Sequence, residues 1–174
     1  MKLCLVDTNA TVAEELRATF SAFPEVTVSY GNILDIAECA VVSPANSYGF
    51  MDGGIDLAYS TFFGPRPETE LRTAIAQRPS GHLEVGSAIL VQTGHIRIPY
   101  LISAPTMVFP SRIPAHNCFY AMAAVLNAAT RHSAVISSLF CPGLGTGVGE
   151  VEPSDAAREM ASAYGKWRVR ESAT

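Results

Sequence analysis

Residues 141–153 read CPGLGTGVGEVEP and place a glycine at every second position from Gly143 to Gly149. Glycine allows the backbone to approach another group closely because it carries no side chain. The stretch contains no lysine or arginine, so an anion held here would be bound by backbone N–H groups and a helix dipole. A glycine-rich turn that binds nothing explains the same spacing equally well, since glycine is also a common turn residue.

Three known types of anion-binding loop do not match this stretch. A Walker A loop requires GxxxxGK[ST], and no lysine is present. The third glycine of a GxGxxG fingerprint would fall on Val148, Glu150 or Glu152. A phosphatase loop would use Cys141 as a thiolate, but it needs a nearby cation that the stretch lacks. A strand–loop–helix turn that holds phosphate oxygens through its amides therefore remains as the functional interpretation.

Length and composition are those of one globular domain, which we expect to span residues 1–174. Apolar residues make up 48% of the chain and the mean hydropathy is +0.21, which favours a well-filled core over disorder. No apolar run reaches the roughly 18–20 residues that a membrane-spanning helix needs. The apolar stretch before Asp7 is too short for a signal peptide. The sequence thus predicts a soluble protein of the cytoplasm with no membrane partner.

Charge and ligand-residue spacing exclude several classes of site. The net charge is −4 with two lysines, and the one basic cluster lies at residues 167–170, so no direct binding of a nucleic-acid groove is expected. The four cysteines and four histidines lack the close spacing of a metal site. The sequence predicts no metal, no cofactor and no disulfide.

The order of apolar segments predicts an α/β fold, because buried strands alternate with helices. We expect a three-layer α/β/α sandwich with a mixed, mostly parallel sheet. The predicted strands cover residues 2–6, 26–30, 40–43, 87–91, 100–104 and 134–140. Helices are predicted after residue 9, over 55–64, 68–77 and 118–132, and from 152 to about 166. Ligands of such sheets bind where strands end and helices begin.

A second loop follows the strand at residues 40–43 and reads SPANSYGFMDGGID over residues 43–56. Asn46 lies just past the strand, and Gly53 and Gly54 precede a helix whose first turn contains Asp56. An amide and a carboxylate beside two amide-rich turns could bind sugar hydroxyls and orient a water molecule. Asn46 also fits an ordinary turn position, and Asp56 fits an ordinary first-turn acid favoured by the helix dipole.

Taken together, the two loops resemble the macrodomain family, an ADP-ribose-binding α/β/α module. The family pattern VNAANxxLxGGGGVDxAI is similar to residues 42–46 and 53–56, and its ALGTGVGG loop is similar to residues 143–149. An upstream GDI is echoed at residues 31–33. The order and spacing hold from about residue 28 to 166, and several stretches look like a bacterial and phage branch of the family.

The resemblance implies a role for each loop. The turn at Asn32 and Ile33 would contact adenine, the two glycine loops would hold the diphosphate, and Asn46 would bind the distal ribose. Asp56 matches the carboxylate that positions water near the anomeric carbon in hydrolytic macrodomains, so Asn46 and Asp56 are the implied catalytic residues. The implied ligand-binding residues are Asn32, Ile33, Asn46, Gly53, Gly54, Ile55, Gly143, Gly145, Thr146, Gly147, Val148 and Gly149.

The sequence departs from the family pattern at several positions. Ser43 replaces the first asparagine of NAAN, and Asn32 replaces an aspartate, which makes it an uncharged and weaker acceptor. Glu150 directly follows the glycine loop, so it must point away from a bound dianion. No aromatic residue that would stack on adenine can be identified; the candidates are Tyr30, Tyr48, Phe50 and Phe140, each of which also fits the core or rim.

Three functions are consistent with these residues. The first is binding of ADP-ribose, of a related ADP-ribose derivative, or of an ADP-ribosylated macromolecule. The second adds hydrolysis, either of a mono-ADP-ribose linkage or of an acetyl or phosphate group on an ADP-ribose derivative. The alternative is a non-catalytic ADP-ribose reader, or a structural module of a phage-associated assembly whose pocket is vestigial.

Overall fold

The computed structural model describes residues 1–173, within which six strands form one sheet. The strands are Lys2–Asp7 (β1), Thr27–Tyr30 (β2), Ala40–Ser43 (β3), Ile89–Gln92 (β4), Tyr100–Ser103 (β5) and Ser138–Cys141 (β6). Their order across the sheet is β2-β1-β6-β3-β5-β4. Neighbouring strands are parallel except β4, which runs antiparallel to β5. The prediction of a mixed, mostly parallel sheet is confirmed.

Helices cover both faces of the sheet and complete three layers. They are Ala10–Thr19 (α1), Ile33–Ile36 (α2), Gly54–Phe63 (α3), Arg66–Ala76 (α4), His116–Arg131 (α5) and Pro153–Glu171 (α6), and a 3-10 turn at Phe20–Ala22 follows α1. Leu16 and Leu126 pack with Leu5 in the core on the face of α1, α5 and α6. Tyr59 and Leu71 pack with Val41 in the core on the opposite face. The predicted α/β/α sandwich is therefore confirmed.

Three parallel strands at the centre of the sheet position the site. β6 lies between β1 and β3, so that Phe140 pairs with Cys4 on one side and with Val41 on the other. Every residue of β3 and β6 is buried, as expected for strands covered on both faces. Because the strands are parallel, their carboxyl ends meet at one edge, and the loops after β1, β3 and β6 lie side by side there.

Two asparagines define where helices begin at this edge. The Asn9 Oδ1 atom accepts hydrogen bonds from the backbone N–H groups of Thr11 at 3.0 Å and Val12 at 3.3 Å, which caps α1. The Asn32 Oδ1 atom accepts from the Leu34 N–H at 3.0 Å and caps α2. The short helix α2 was not predicted from the sequence, because four residues are too few to show a helical period.

Two predicted boundaries differ from the structure by more than two residues. The last strand begins at Ser138 rather than at residue 134, because the N–H groups of Val135 and Ile136 both donate to the His132 carbonyl and keep the chain in a turn after α5. Helix α6 continues to Glu171, beyond the predicted end near residue 166. Trp167 contributes to this extension, since its Nε1–H donates to the Thr130 hydroxyl on α5 at 2.9 Å.

Residues 1–173 contain neither a candidate membrane-spanning helix nor a candidate metal site. No helix in this part of the chain is both long enough and apolar enough to cross a membrane. No group of three or more His, Cys, Asp or Glu side chains there is arranged to hold a metal ion.

Candidate functional site

A cavity of roughly 530 Å³ lies at the carboxyl edge of the sheet, between the loops that follow β1, β2, β3, β5 and β6. Gly54 and Gly147, which come from distant parts of the sequence, line the same cavity. Every site residue that the resemblance implied also lines it: Asn32, Ile33, Asn46, Gly53, Gly54, Ile55, Asp56, Gly143, Gly145, Thr146, Gly147, Val148 and Gly149. The structure thus brings together residues that the sequence placed in three separate segments.

The loops that line the cavity lie side by side in the same order as the strands they follow. The loops after β2 and β1, with Asn32 and Asp7, lie at one end. The loops after β6 and β3, with Gly147 and Gly54, form the middle. Met107, which follows β5, lies at the other end. An elongated ligand could therefore contact all of these loops in sequence.

The glycine loop at residues 143–149 is anchored at its base. The Gly143 N–H donates to Oδ2 of Asp7 at 3.0 Å, and the Thr146 hydroxyl donates to the Gly143 carbonyl at 3.2 Å. Gly145 has a φ of 74°, a conformation that favours glycine. Within residues 1–173, the N–H groups of positions 146–149 donate to no protein acceptor. These amides are available to a ligand.

The turn before α3 presents a second set of amides. Gly53 is the N-cap residue, and it has no side chain that could accept from the first-turn N–H groups. Gly54 has a φ of 56°, which favours glycine at this turn. The helix dipole adds partial positive charge at the same place. Two turns with unsatisfied amides therefore face one cavity from neighbouring strands.

The ionisable side chains of the cavity wall are acidic. Asp7, Asp52 and Asp56 line it, and no lysine, arginine or histidine of residues 1–173 does so. A ligand anion would thus be held by backbone amides and helix dipoles rather than by side-chain cations. This agrees with the expectation drawn from the lack of basic residues in the glycine loop.

Asn46 acts as a turn residue in the loop after β3. Its Oδ1 atom accepts from the N–H groups of Tyr48 at 3.0 Å and Phe50 at 3.4 Å, and its Nδ2 donates to the Phe50 carbonyl at 2.8 Å. The same residue lines the cavity. The turn role that the sequence allowed is therefore present, alongside a position in which Asn46 could contact a ligand.

Asp56 is a buried carboxylate in the cavity wall, with 6% of its surface exposed. The Ser43 hydroxyl donates to its Oδ1 atom at 2.7 Å. Burial raises the pKa of Asp56 to about 7; the hydrogen bond from Ser43 opposes this effect, and the charges of Asp52 and Glu68 add to it. Asp56 consequently changes its charge near neutral pH.

The structure separates the four aromatic candidates. Phe50 lines the cavity, and the Arg72 guanidinium lies 4.4 Å from the centre of its ring. Tyr48 instead stacks on Phe109 at 5.0 Å, outside the cavity wall. The remaining two candidates do not line the cavity either: Tyr30 is 65% exposed at the surface, and Phe140 is buried in the core.

Glu150 and Cys141 do not contribute chemistry to the cavity. Glu150 forms an exposed ion pair with Arg112, at 3.4 Å between Oε2 and Nε, and it does not line the cavity. Burial raises the pKa of the Cys141 thiol well above its ordinary value, and the charge of Asp7 adds to the effect. A thiolate phosphatase loop, which the sequence already disfavoured, would need the opposite shift.

The loop after β1 contributes cavity residues that were not predicted from the sequence. Asp7, Thr8 and Asn9 line the cavity, whereas the resemblance to the family pattern begins only at about residue 28. Their function as cavity residues follows from the position of β1 between β2 and β6. A signal was present, since these polar residues follow a predicted strand, but the sequence did not show which strands are neighbours.

Comparison with known proteins gives the family. The family model described as Macro domain matches residues 42–160, which include both glycine loops. The chain belongs to the Macro domain family. Asp7, Asn32 and Ile33 lie before the matched range.

Relatives and solved structures agree with this assignment. An uncharacterized protein of Aeropyrum pernix is 37% identical over 145 residues, which are 80% of this chain and 72% of that protein. The macrodomain of Mycobacterium tuberculosis DarG has a TM-score of 0.67 at 22% identity, over 78% of this chain and 87% of its own. A variant of the Oceanobacillus iheyensis macrodomain solved with ADP-ribose (ADPR) has a TM-score of 0.66 at 18% identity, over 77% of this chain and 73% of its own. At these identities the two structures confirm the macrodomain fold.

The packing of the glycine loop predicts that two alanine substitutions change the free energy of unfolding by different amounts. A Cβ at Gly143 would lie 2.5 Å from Val12 Cγ1 and 3.0 Å from Asp7 Oδ2, whereas a Cβ at Gly147 would meet nothing within 4 Å. We expect Gly143→Ala to lower the free energy of unfolding by about 1–3 kcal/mol and Gly147→Ala to change it by less than about 0.5 kcal/mol. Urea denaturation measures both, and equal losses would contradict this packing.

The burial of Asp56 predicts that Asp56→Asn changes the free energy of unfolding by an amount that depends on pH. Because the folded state binds the Asp56 proton more tightly than the unfolded state, this carboxyl favours folding less as pH rises from about 4 to about 7. Asparagine removes the charge and can still accept from Ser43 through its carbonyl oxygen. We expect the stability of the variant relative to wild type to increase by about 3 kcal/mol between pH 5 and pH 8. A relative stability that is the same at both pH values would show that Asp56 titrates normally.

Proposed function

We propose that the protein binds ADP-ribose or a closely related ADP-ribose derivative in this cavity, free or as part of an ADP-ribosylated macromolecule. The observation that carries the proposal is the convergence of unsatisfied backbone amides from the turn before α3 and from residues 146–149. A diphosphate between them would supply the acceptors that the protein does not. The size of the cavity lies within the range of small-ligand sites.

The arrangement of the lining supports the orientation of the ligand. We propose that adenine lies at the end with Asn32 and Ile33, the diphosphate between Gly54 and Gly147, and the distal ribose near Asn46. Two observations support this order: Asn32 follows β2 whereas Gly147 and Gly54 follow β6 and β3, and Asn46 forms a backbone bridge with Met107, which follows β5. The O. iheyensis variant solved with ADP-ribose shares the fold, which supports the same ligand here.

A charged substitution in the glycine loop tests this proposal. Gly147→Glu would place a side chain and a negative charge where the diphosphate is proposed, so we expect the affinity for ADP-ribose to fall at least about 100-fold. Isothermal titration calorimetry measures the affinity. Gly147→Ala controls for loss of the glycine, and Ser133→Glu, on the exposed turn after α5, controls for added charge.

The outcomes of this titration separate the candidate functions. Unchanged affinity in Gly147→Glu would contradict the placement of the diphosphate. Absence of binding by the wild type at millimolar ADP-ribose would contradict the proposed function and favour a structural module with a vestigial pocket.

Hydrolysis is a second candidate function, and Asp56 is the observation that favours it. A general base works best when its pKa is close to the operating pH, and burial raises the pKa of Asp56 to about 7. Asp56 also matches the carboxylate that positions water in hydrolytic macrodomains. We propose that the Asp56 carboxylate orients or deprotonates the water that attacks the anomeric carbon of a mono-ADP-ribose linkage.

Two isosteric variants test the hydrolytic proposal. We expect Asp56→Asn to lower kcat on a mono-ADP-ribosylated protein by about 100-fold or more, because the base is lost, while ADP-ribose binds at least as tightly as to wild type. Asp52→Asn is the matched control, since it removes an exposed carboxylate from the same cavity wall. If wild type and both variants leave ADP-ribosylated substrates intact but bind ADP-ribose, the protein is a reader.

The cellular location and partners stay predictions. All four cysteines are free, which fits a reducing compartment such as the cytoplasm. We propose an ADP-ribosylated macromolecule as the partner, with no direct contact to a nucleic-acid groove. Cell fractionation tests the location.

A further inference from the structure

The contact between Ser43 and Asp56 joins the two ends of the loop after β3. Ser43 is the last residue of β3 and is fully buried, and Asp56 lies in the first turn of α3. The distance between Ser43 Oγ and Asp56 Oδ1 is 2.7 Å. The residues between them form the loop that contains Asn46 and Gly53. This hydrogen bond therefore fixes the Asp56 side chain relative to both the sheet and the loop.

The other groups that face Asp56 do not replace this contact. Tyr59, one turn further along α3, donates its hydroxyl hydrogen bond to the Val42 carbonyl at 3.0 Å. Asp52 in the loop and Glu68 on α4 are carboxylates, and they disfavour a charge on Asp56. The glycine loop at residues 143–149 contains no ionisable side chain. Among the side chains of residues 1–173, Ser43 is the donor to the Asp56 carboxylate.

A second buried serine, Ser103, shows that burial of a serine in this sheet is not enough to give its hydroxyl a hydrogen bond to Asp56. Ser103 on β5 pairs in register with Ser43 and is equally buried. Its hydroxyl has no hydrogen-bond partner within the described residues 1–173. The two serines thus have the same side chain, the same depth and neighbouring positions, but Ser43 alone of this pair contacts Asp56.

We propose that Ser43 is a positioning residue for Asp56: its hydroxyl holds the carboxylate at the cavity wall. The consequence for ligands rests on the proposed function, because the charge of Asp56 matters to a diphosphate in the cavity. An ionised Asp56 repels the diphosphate and is the form that can act as a base. A protonated Asp56 admits the diphosphate but cannot act as a base.

Loss of the Ser43 hydroxyl is expected to raise the pKa of Asp56. The hydrogen bond favours the charged form of Asp56, while burial and the two neighbouring carboxylates oppose it. Without the bond, the opposing effects remain, and the pKa of Asp56 rises. A hydrogen bond to a charged group has a strength that corresponds to about a 10- to 100-fold change in the acid dissociation constant. The affinity for ADP-ribose, which falls as Asp56 ionises, would then fall at a higher pH.

The experiment measures Asp56 directly in the free protein. Carboxyl carbon NMR follows the titration of Asp56 in wild type, Ser43→Ala and Ser103→Ala. We expect Ser43→Ala to lower the acid dissociation constant of Asp56 by about 10-fold or more and Ser103→Ala to leave it within about twofold of wild type. Calorimetric titration with ADP-ribose between pH 6 and pH 9 then shows whether the fall in affinity moves to higher pH in Ser43→Ala only.

Each outcome supports or overturns the proposal. An unchanged Asp56 titration in Ser43→Ala, or equal changes in both serine variants, overturns it. If Ser43→Ala does not fold, the wild type decides: the Ser43 side-chain resonances must follow the Asp56 titration while those of Ser103 do not. A shifted titration in Ser43→Ala without any binding of ADP-ribose by wild type supports the positioning role and contradicts the proposed function. If wild type binds ADP-ribose with the same affinity from pH 6 to pH 9, the proposed effect of Asp56 ionisation on ligand affinity is overturned.

Discussion

Backbone N–H groups without protein acceptors, grouped at the carboxyl edge of a parallel sheet, are the constraint on which the site depends. A ligand that covers these amides must supply acceptors, because removing an amide from water without one is costly. The turn before α3 and residues 146–149 both carry such amides, and they line one cavity. The adjacency of β6 and β3 produces this convergence. A ligand with two linked phosphates would satisfy both turns at once, as proposed for ADP-ribose.

Because the cavity wall is acidic, an anion would have to be bound by groups that contact it directly rather than by long-range attraction to cationic side chains. Asp7, Asp52 and Asp56 line the cavity, and the chain carries a net charge of −4, so no field of cations draws an anion in from a distance. Asp7 accepts a hydrogen bond from the Gly143 N–H and thereby anchors the glycine loop. Asp56 titrates near neutral pH, since burial raises its pKa to about 7. Asp7 therefore has a structural role, while backbone amides and helix dipoles are the groups in this cavity that would attract an anion.

The sequence predicted the fold because its strands and helices alternate, and it predicted both glycine loops because their spacing is specific. It could not show that β1 lies between β2 and β6, since strand order depends on packing across the whole sheet. The contribution of Asp7 to the cavity was missed for that reason. The start of β6 was placed four residues early because Ala134, Val135 and Ile136 are apolar, although hydrogen bonds to the His132 carbonyl hold Val135 and Ile136 in a turn. The buried contact between Ser43 and Asp56 likewise depends on the path of the intervening loop.

A crystal structure of the complex with ADP-ribose tests the central claim most directly. The account predicts that phosphate oxygens lie within hydrogen-bond distance of backbone nitrogens in both the turn at residues 53–55 and the loop at 146–149. It also predicts that no lysine or arginine side chain contacts the phosphates. A diphosphate bound by a cationic side chain, or placed against only one of the two loops, would contradict it.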